Sequence, residues 1–484
     1  MTSEKTLARR ERTLVLAAAT CVSAGLLAVT LWLTADGSIA AGAIAIVVAA
    51  PVAIAVWQPS PLVLLAGVLL LQVVQFGGEP GTSAPEAIAG LALVGYLGHW
   101  YLSAILSGRP LVRTLFDAAA VAYGTVGLVA AAVIGLMFGA DAYDFRADVL
   151  AAIPFLFYLP VKELCAKDDR AGTVIALVLC VFGLVASLVN GIMLRSSLSA
   201  ADELYKAADA RFNVGETSIT AGLMMALGMT ALARQRAVRW LSVGLAGVLL
   251  AGLIVTRSRG FWIAAAFGIA SMAVVAPGRY RGRLLGFLFL GGAAVVGLAV
   301  LVLGDQLLIV ALGALDRLVS IGSATQDISL INRFAESQAA WEKIRVNPIL
   351  GYGWGVQVTH YSIIAEGTRH WAFLHNGYLS IWYKTGLWGL AAMMFVWIGV
   401  MWRTARTARL AKLASRDRAL ALGAGATIAA FTPVAASSNP FSVLDQVLVV
   451  TLVLALGHGL ADRAGAVRKT APDTSTGSTT SASR

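Results

Sequence analysis

The chain has 484 residues, 58% of them hydrophobic and only 13% charged, with a mean hydropathy of +0.78. Soluble domains run nearer half apolar and a quarter charged, so these values exclude a soluble enzyme or binding module and require a protein with many membrane spans. A net charge of +11 would suit a nucleic-acid binder, but the basic residues are distributed as membrane topology demands and leave no basic stripe over.

A hydrocarbon layer about 30 Å thick takes roughly 20 apolar residues per helix. Apolar runs at 14–33, 38–57, 61–76, 85–106, 114–138, 148–161, 171–191, 214–232, 238–256, 260–277, 284–303, 378–402, 419–435 and 441–460 predict an all-α polytopic protein. The fair span count is about twelve to fourteen. The runs at 61–76 and 148–161 are short and contain or abut Pro61, Pro154 and Pro160. The chain then divides into an N-terminal transmembrane bundle at 1–303, a long loop at 304–375, C-terminal helices at 376–460, and a polar tail at 461–484 expected to be disordered.

Cytoplasmic loops carry the excess of Lys and Arg. With the N-terminus inside (Lys5, Arg9, Arg10, Arg12), successive inner loops collect Arg109 and Arg113; Lys162, Lys167 and Arg170; Arg234, Arg236 and Arg239; Arg279, Arg281 and Arg283; then Arg403 through Arg418; then Arg463, Arg468 and Lys469. Both termini are therefore expected to be cytoplasmic, and 304–375 extracytoplasmic. The first span, with its basic lead and long apolar run, reads as an uncleaved anchor. Of the three cysteines, Cys21 and Cys180 fall in spans and Cys165 in a cytoplasmic loop. No outer loop has a disulfide, and no Cys/His metal spacing occurs. There is no P-loop and no GxGxxG opening a helix, so an enzyme here must take its donor from the membrane.

The long loop concentrates the chemistry. Arg333, Arg345, Arg369, His360, His370 and His375 lie between Ile331 and Gly389, and an ionisable cluster in a membrane protein is by default a functional hypothesis. Ile331, Phe334, Trp341 and Ile344 fall on one side at helical spacing, so 328–346 reads as an amphipathic helix at the outer interface. It ends at Asn347-Pro348, since proline disfavours helix in the residue before it. Gly351, Gly353 and Gly355 then permit sharp turns. His375-Asn376 stands just before the next span, a suitable place for a general base.

The stretches SRGFW, NRFAESQAAWEKIRVNPILGYGWG and LHNGYLSIWYKTGLWGL, in that order and on that side of the membrane, resemble the shared core of the O-antigen ligase and polysaccharide polymerase superfamily over roughly residues 240–400. The resemblance implies a glycosyltransferase-C-like membrane fold in a bacterial inner membrane. It implies transfer of a glycan from a polyprenyl-diphosphate carrier to a hydroxyl on a glycan, lipid or protein acceptor, with inversion and with no cofactor or metal. It matches Arg259, Arg333 and His375 to the family's catalytic positions, and beside them Arg257, a further cation, and Asn376, next to the histidine, are expected to bind substrate. The chemistry suits the residues. Guanidinium stays charged and binds phosphate oxygens bidentately, and imidazole can accept a proton near neutral pH.

Plainer roles stand beside each of these. Arg257 and Arg259 could hold lipid headgroups. Arg333 could be a solvated charge paired with Glu336, as Lys343 and Arg345 are expected to be solvated. His375 could cap the following helix. His360 and His370 are expected on the loop surface. Trp354 and Trp371 are either interfacial aromatics or stacking surfaces for sugar. No carboxylate is expected near His375, which favours direct displacement over a covalent intermediate. Asp117, Glu216 and Asp445, near span ends, have no role the sequence assigns. The alternative function is a transporter or flippase of the lipid-linked glycan, though no internal repeat of the usual transporter kind is visible.

Overall fold

A computed structural model describes residues 60–72, 84–200, 214–278, 280–286, 289, 292–293 and 328–470. The expected spans at 14–33 and 38–57, most of that at 284–303, the loop before Ile328 and the tail after Thr470 lie outside the described residues.

The helices in chain order are α1 Pro61–Leu71, α2 Ala84–Leu106, α3 Leu115–Val121, α4 Leu128–Met137, α5 Ala142–Ala152, α6 Tyr158–Lys167, α7 Ala171–Ala200, α8 Glu216–Leu232, α9 Arg236–Val255, α10 Arg259–Val275 and α11 Ile328–Val346. An antiparallel hairpin, β1 Val358–Ser362 and β2 Gly367–Trp371, follows, then α12 Gly377–Arg409, α13 Ser415–Ser437 and α14 Leu444–Thr470. Among the described residues eight continuous helical stretches are long and apolar enough to cross a membrane, and α1 and α10 are shorter apolar helices. The protein is thus a helical, multi-pass membrane protein. The hairpin is an addition that the all-α expectation missed.

Two of the eight stretches join segments of different winding. Ala122–Gly127 makes a wider π turn between α3 and α4, and Ile153–Phe157 makes a tight 3-10 turn between α5 and α6. The second contains Pro154, whose missing N–H cannot close an α-helical bond. The apolar run expected at 148–161 is therefore the middle of one longer span, Ala142–Lys167.

The centre of the bundle is α8, which is buried on nearly every side. It packs against α7, α9 and α13, and α13 packs in turn on α10 and α12. Small residues make this possible. A Cβ on Gly228 would lie 2.5 Å from the Ala419 carbonyl oxygen, and one on Gly268 would lie 2.8 Å from the Met224 sulfur. Helices this close exclude lipid, which is why α13 and α14 are mostly enclosed while α4 and α9 show most of their surface.

One end of the bundle is tied by charge. Lys162 reaches Asp117 at 2.6 Å and Asp462 at 3.0 Å, Arg403 holds Asp462 at 2.6 Å, and Arg463 holds Asp417 at 3.2 Å. Asp117 also closes a capping box with Thr114 at the start of α3. These pairs carry α14 on to Thr470, past Leu460 where the polar tail was expected to begin. Cys165, expected in a loop, is buried in the last turns of α6.

At the other end, the turn after α11 is built into a break in α12. Gly386 has φ 73° and ψ 179°, outside helical geometry. The backbone groups released there find partners in the turn. The Leu387 N–H and the Trp382 indole both donate to the Pro348 carbonyl, at 2.9 and 2.8 Å, while Tyr352 N–H donates to the Tyr383 carbonyl at 2.7 Å and Gly353 N–H to that of Lys384 at 3.0 Å. This is how a helix is interrupted without stranding buried polar groups. Gly353 must be glycine twice over: its φ is +84°, and a Cβ would meet the Gly135 nitrogen at 2.0 Å.

Candidate active site

Three chain segments bring the sequence's candidates together. The first is the start of α10. Arg257 is buried, 3% exposed, with φ 53°, a left-handed geometry uncommon for a residue with a side chain. Such strain persists where the surroundings hold it in place. Arg259 opens α10 and is half-buried. The second segment is α11, on which Arg333 donates to the carbonyl oxygen of Ser437 at 2.6 Å, at the C-terminus of α13. A Cβ on Gly260 would lie 3.7 Å from the side-chain hydroxyl of that same Ser437, so the residue next to Arg259 and the residue held by Arg333 are neighbours. Glu216, at the start of α8, is hydrogen-bonded to Ser258 and feels the charges of Asp445 and Arg333. Of the three acids without a role in the sequence, Glu216 therefore stands beside Ser258 and within the field of Arg333, with Asp445 near it.

The third segment is the junction into α12. Asn376 is the N-cap: its side-chain oxygen accepts the Leu379 N–H at 3.1 Å. Capping engages the side-chain oxygen of Asn376, whose expected contact with substrate would fall to its amide nitrogen. His375 is therefore not the cap. Its Nδ1 lies 2.8 Å from Glu336 Oε2, and its backbone N–H donates to Glu336 Oε1 at 2.5 Å. Asn439 steadies the same junction by donating to the Leu374 carbonyl at 2.7 Å. Phe373 and Trp371 stand edge-on to the imidazole, with ring centres at 5.1 and 6.4 Å.

Glu336 was missed as a site residue, and the two roles it was given both fail. It does not serve as a solvated partner of Arg333, and a carboxylate does sit beside His375. It is 1% exposed. The signal was present: Glu336, Ala340 and Ile344 recur every four residues and form the buried face of α11, and a carboxylate heading an apolar stripe must have a partner inside. The helix has the expected bounds, and of its expected apolar side Ile331, Phe334 and Trp341 are exposed, which an interfacial helix allows, while Ile344 turns inward.

Further expectations are corrected. Trp354 is 7% exposed, its indole donating to the Leu128 carbonyl at 3.1 Å among Ala131 and Ala152, so it is a wedge between helices and offers no face to a sugar. Trp371 is 47% exposed and keeps one. His360 is buried on the inward face of β1, because strand alternation turns it in with Val358 and Ser362. Only His370 is on the surface, bonded to Thr359 at 2.9 Å. Lys343 donates to the Gln357 carbonyl at 2.9 Å and lies over the Tyr352 ring, and partial desolvation holds its ammonium below the usual lysine range. Lys384, at the break in α12, makes a buried pair with Asp148 at 2.6 Å, and Asp148 also accepts the Gly355 N–H at 2.9 Å. That pair fixes the glycine turn to α5.

The start of α10, α11 and the junction into α12 thus set Arg259 and Arg333 about Ser437, with a histidine held by a carboxylate one turn further along α11. Residues 244–394, which include the SRG segment, α11, the glycine turn and His375, match the O-antigen ligase family. The match supports the O-antigen ligase and polysaccharide polymerase superfamily, and with it a membrane glycan-transfer enzyme of ligase or polymerase type. No curated protein matches the chain.

Proposed function

We propose that the protein transfers a glycan from a polyprenyl-diphosphate carrier to an acceptor hydroxyl at the outer face of the bacterial cytoplasmic membrane. Arg259 and Arg333, with Arg257 behind them, receive the diphosphate, and His375 takes the acceptor's proton. The observation that carries this reading is the placement of both roles on one helix: Arg333 and Glu336, one turn apart on α11, reach the arginine cluster at Ser437 and the base at His375 respectively.

In the reaction the acceptor O–H proton passes to the free nitrogen of His375 while the oxygen lone pair forms the new bond to the anomeric carbon. The bond from that carbon to the diphosphate breaks, and its electron pair leaves on the phosphate oxygen, where guanidinium groups stabilise it without waiting for water to reorganise. Direct displacement inverts the anomeric centre. The carboxylate beside the base does not alter this, because both oxygens of Glu336 are engaged by N–H donors or imidazole nitrogen and it is buried. Charge neutralisation rests on arginine in this reading. Among the described residues no group of three His, Cys, Asp or Glu side chains is arranged to hold a metal ion. The exposed face of Trp371 beside His375 suits the acceptor sugar.

The test uses purified protein with a lipid-linked oligosaccharide and separate assays for donor binding and new glycosidic linkage. His375→Ala should keep donor binding within a few-fold and lower transfer by about 10²–10⁴, the usual weight of a general base. Equal loss of both would make His375 a structural tether. Movement of the glycan across a vesicle membrane without new linkages would instead favour a transporter.

A further inference from the structure

We infer that Glu336 is a positioning residue that fixes the tautomer of His375, so that Nε2 is the nitrogen that receives the acceptor's proton. The inference rests on the reading of His375 as the base and adds the atom and the partner. The geometry leaves little freedom. The backbone N–H of His375 can only donate, and it points at Glu336 Oε1 from 2.5 Å. The other oxygen, Oε2, faces Nδ1 at 2.8 Å. An ionised carboxylate has acceptors only, so Nδ1 must carry the hydrogen, and the lone pair of the neutral ring is left on Nε2. When Nε2 takes the proton, the imidazolium is stabilised by the charge beside it.

Burial makes this arrangement rigid. Glu336 is 1% exposed, on the face of α11 that packs against the protein through Ala340 and Ile344. On the ring's other sides stand Phe373 and Trp371, which are not titratable, both edge-on. An exposed ion pair would be worth little. Here the carboxylate is enclosed and holds one residue at two points while the imidazole stays 28% exposed, which is the arrangement that orients a base rather than merely tethering a loop.

The test is Glu336→Gln, a substitution of equal shape. The amide has one acceptor and one donor end. The backbone N–H of His375 must take the oxygen, so the NH2 group faces Nδ1 and requires its lone pair. The ring hydrogen then moves to Nε2, and both hydrogen bonds survive while the base is lost. Thermal stability and donor binding should stay near wild type, and the transfer kcat should fall by about 10²–10⁴, as in tautomer inversion elsewhere. The double variant with His375→Ala should be no worse than His375→Ala alone, since residues acting as a unit are non-additive. Glu336→Asp, which retains two acceptors, should be faster than Glu336→Gln and guards against a folding defect in the latter.

A purely structural role predicts the opposite pattern. A Glu336→Gln protein with kcat within about threefold of wild type, losses that add to those of His375→Ala, or Glu336→Asp slower than Glu336→Gln would each overturn the inference while leaving His375 as the base. Full transfer by His375→Ala would overturn the underlying reading instead.

Discussion

At the scale of single residues, shape separates arginine from lysine. A guanidinium offers a planar fork to phosphate, whereas an ammonium is a point charge. Arg333→Lys and Arg259→Lys therefore keep the charge and lose the fork, and each should lower turnover on a lipid-diphosphate donor by about tenfold or more. The check is the donor KM and kcat of folded protein, and near-normal values for both variants would end the diphosphate assignment. Lys384 makes a contrasting case. It is 1% exposed and paired with Asp148. Lys384→Met strands a buried carboxylate, a loss of about 3–5 kcal/mol, visible as a lower Tm in detergent. Adding Asp148→Asn should recover much of it, and a Tm unchanged by the single substitution would show that the pair is not structural. The arginines and His375 could be singled out as candidates in the sequence because ionisable groups are sparse in a chain only 13% charged. The role of Trp354 was not legible, because an interfacial tryptophan and a helix wedge have the same letters; for Glu336 the four-residue stripe signals burial but does not say which group it meets.

At the scale of elements, α11 and the turn that follows act as one brace. The helix carries Arg333 and Glu336, and the turn closes the break at Gly386, so the first half of α12, with His375 at its entrance, is held from two sides. Gly353→Ala would introduce both a strained φ and a Cβ 2.0 Å from backbone. It should destabilise the protein by at least about 1–3 kcal/mol and reduce transfer through misplacement of His375. Gly367→Ala, whose Cβ would meet only the Ala365 carbonyl at 3.7 Å, serves as the control and should be near neutral by thermal melting. Equal tolerance at both positions would argue against the brace. The glycine spacing and the NP stop announced a turn after α11. That the turn would repair a broken helix was not readable, since Gly386 in an apolar run looks like any other glycine of a span.

At the scale of the whole molecule, the two ends of the bundle differ in kind. One is a lattice of ion pairs built from Asp117, Lys162, Arg403 and Asp462, and the other gathers Glu216, Arg333, Glu336 and His375. The sidedness read from basic residues separates the same groups, which leads to the expectation that Ala365 is labelled from outside and Ser415 from inside in single-cysteine variants treated with a membrane-impermeant thiol reagent. Labelling of both from one side would remove the topology and the mechanism with it. The sequence alone determined the membrane class and nominated the segment that carries the candidate residues, because hydropathy and charge are local sums that do not depend on how helices pack. Only the tertiary structure decided which carboxylate meets His375, which tryptophan is buried, and where α12 breaks. Those depend on distances between residues such as Glu336 and His375, 39 positions apart, and burial in a folded chain is a property of neighbours that no single stretch of sequence contains.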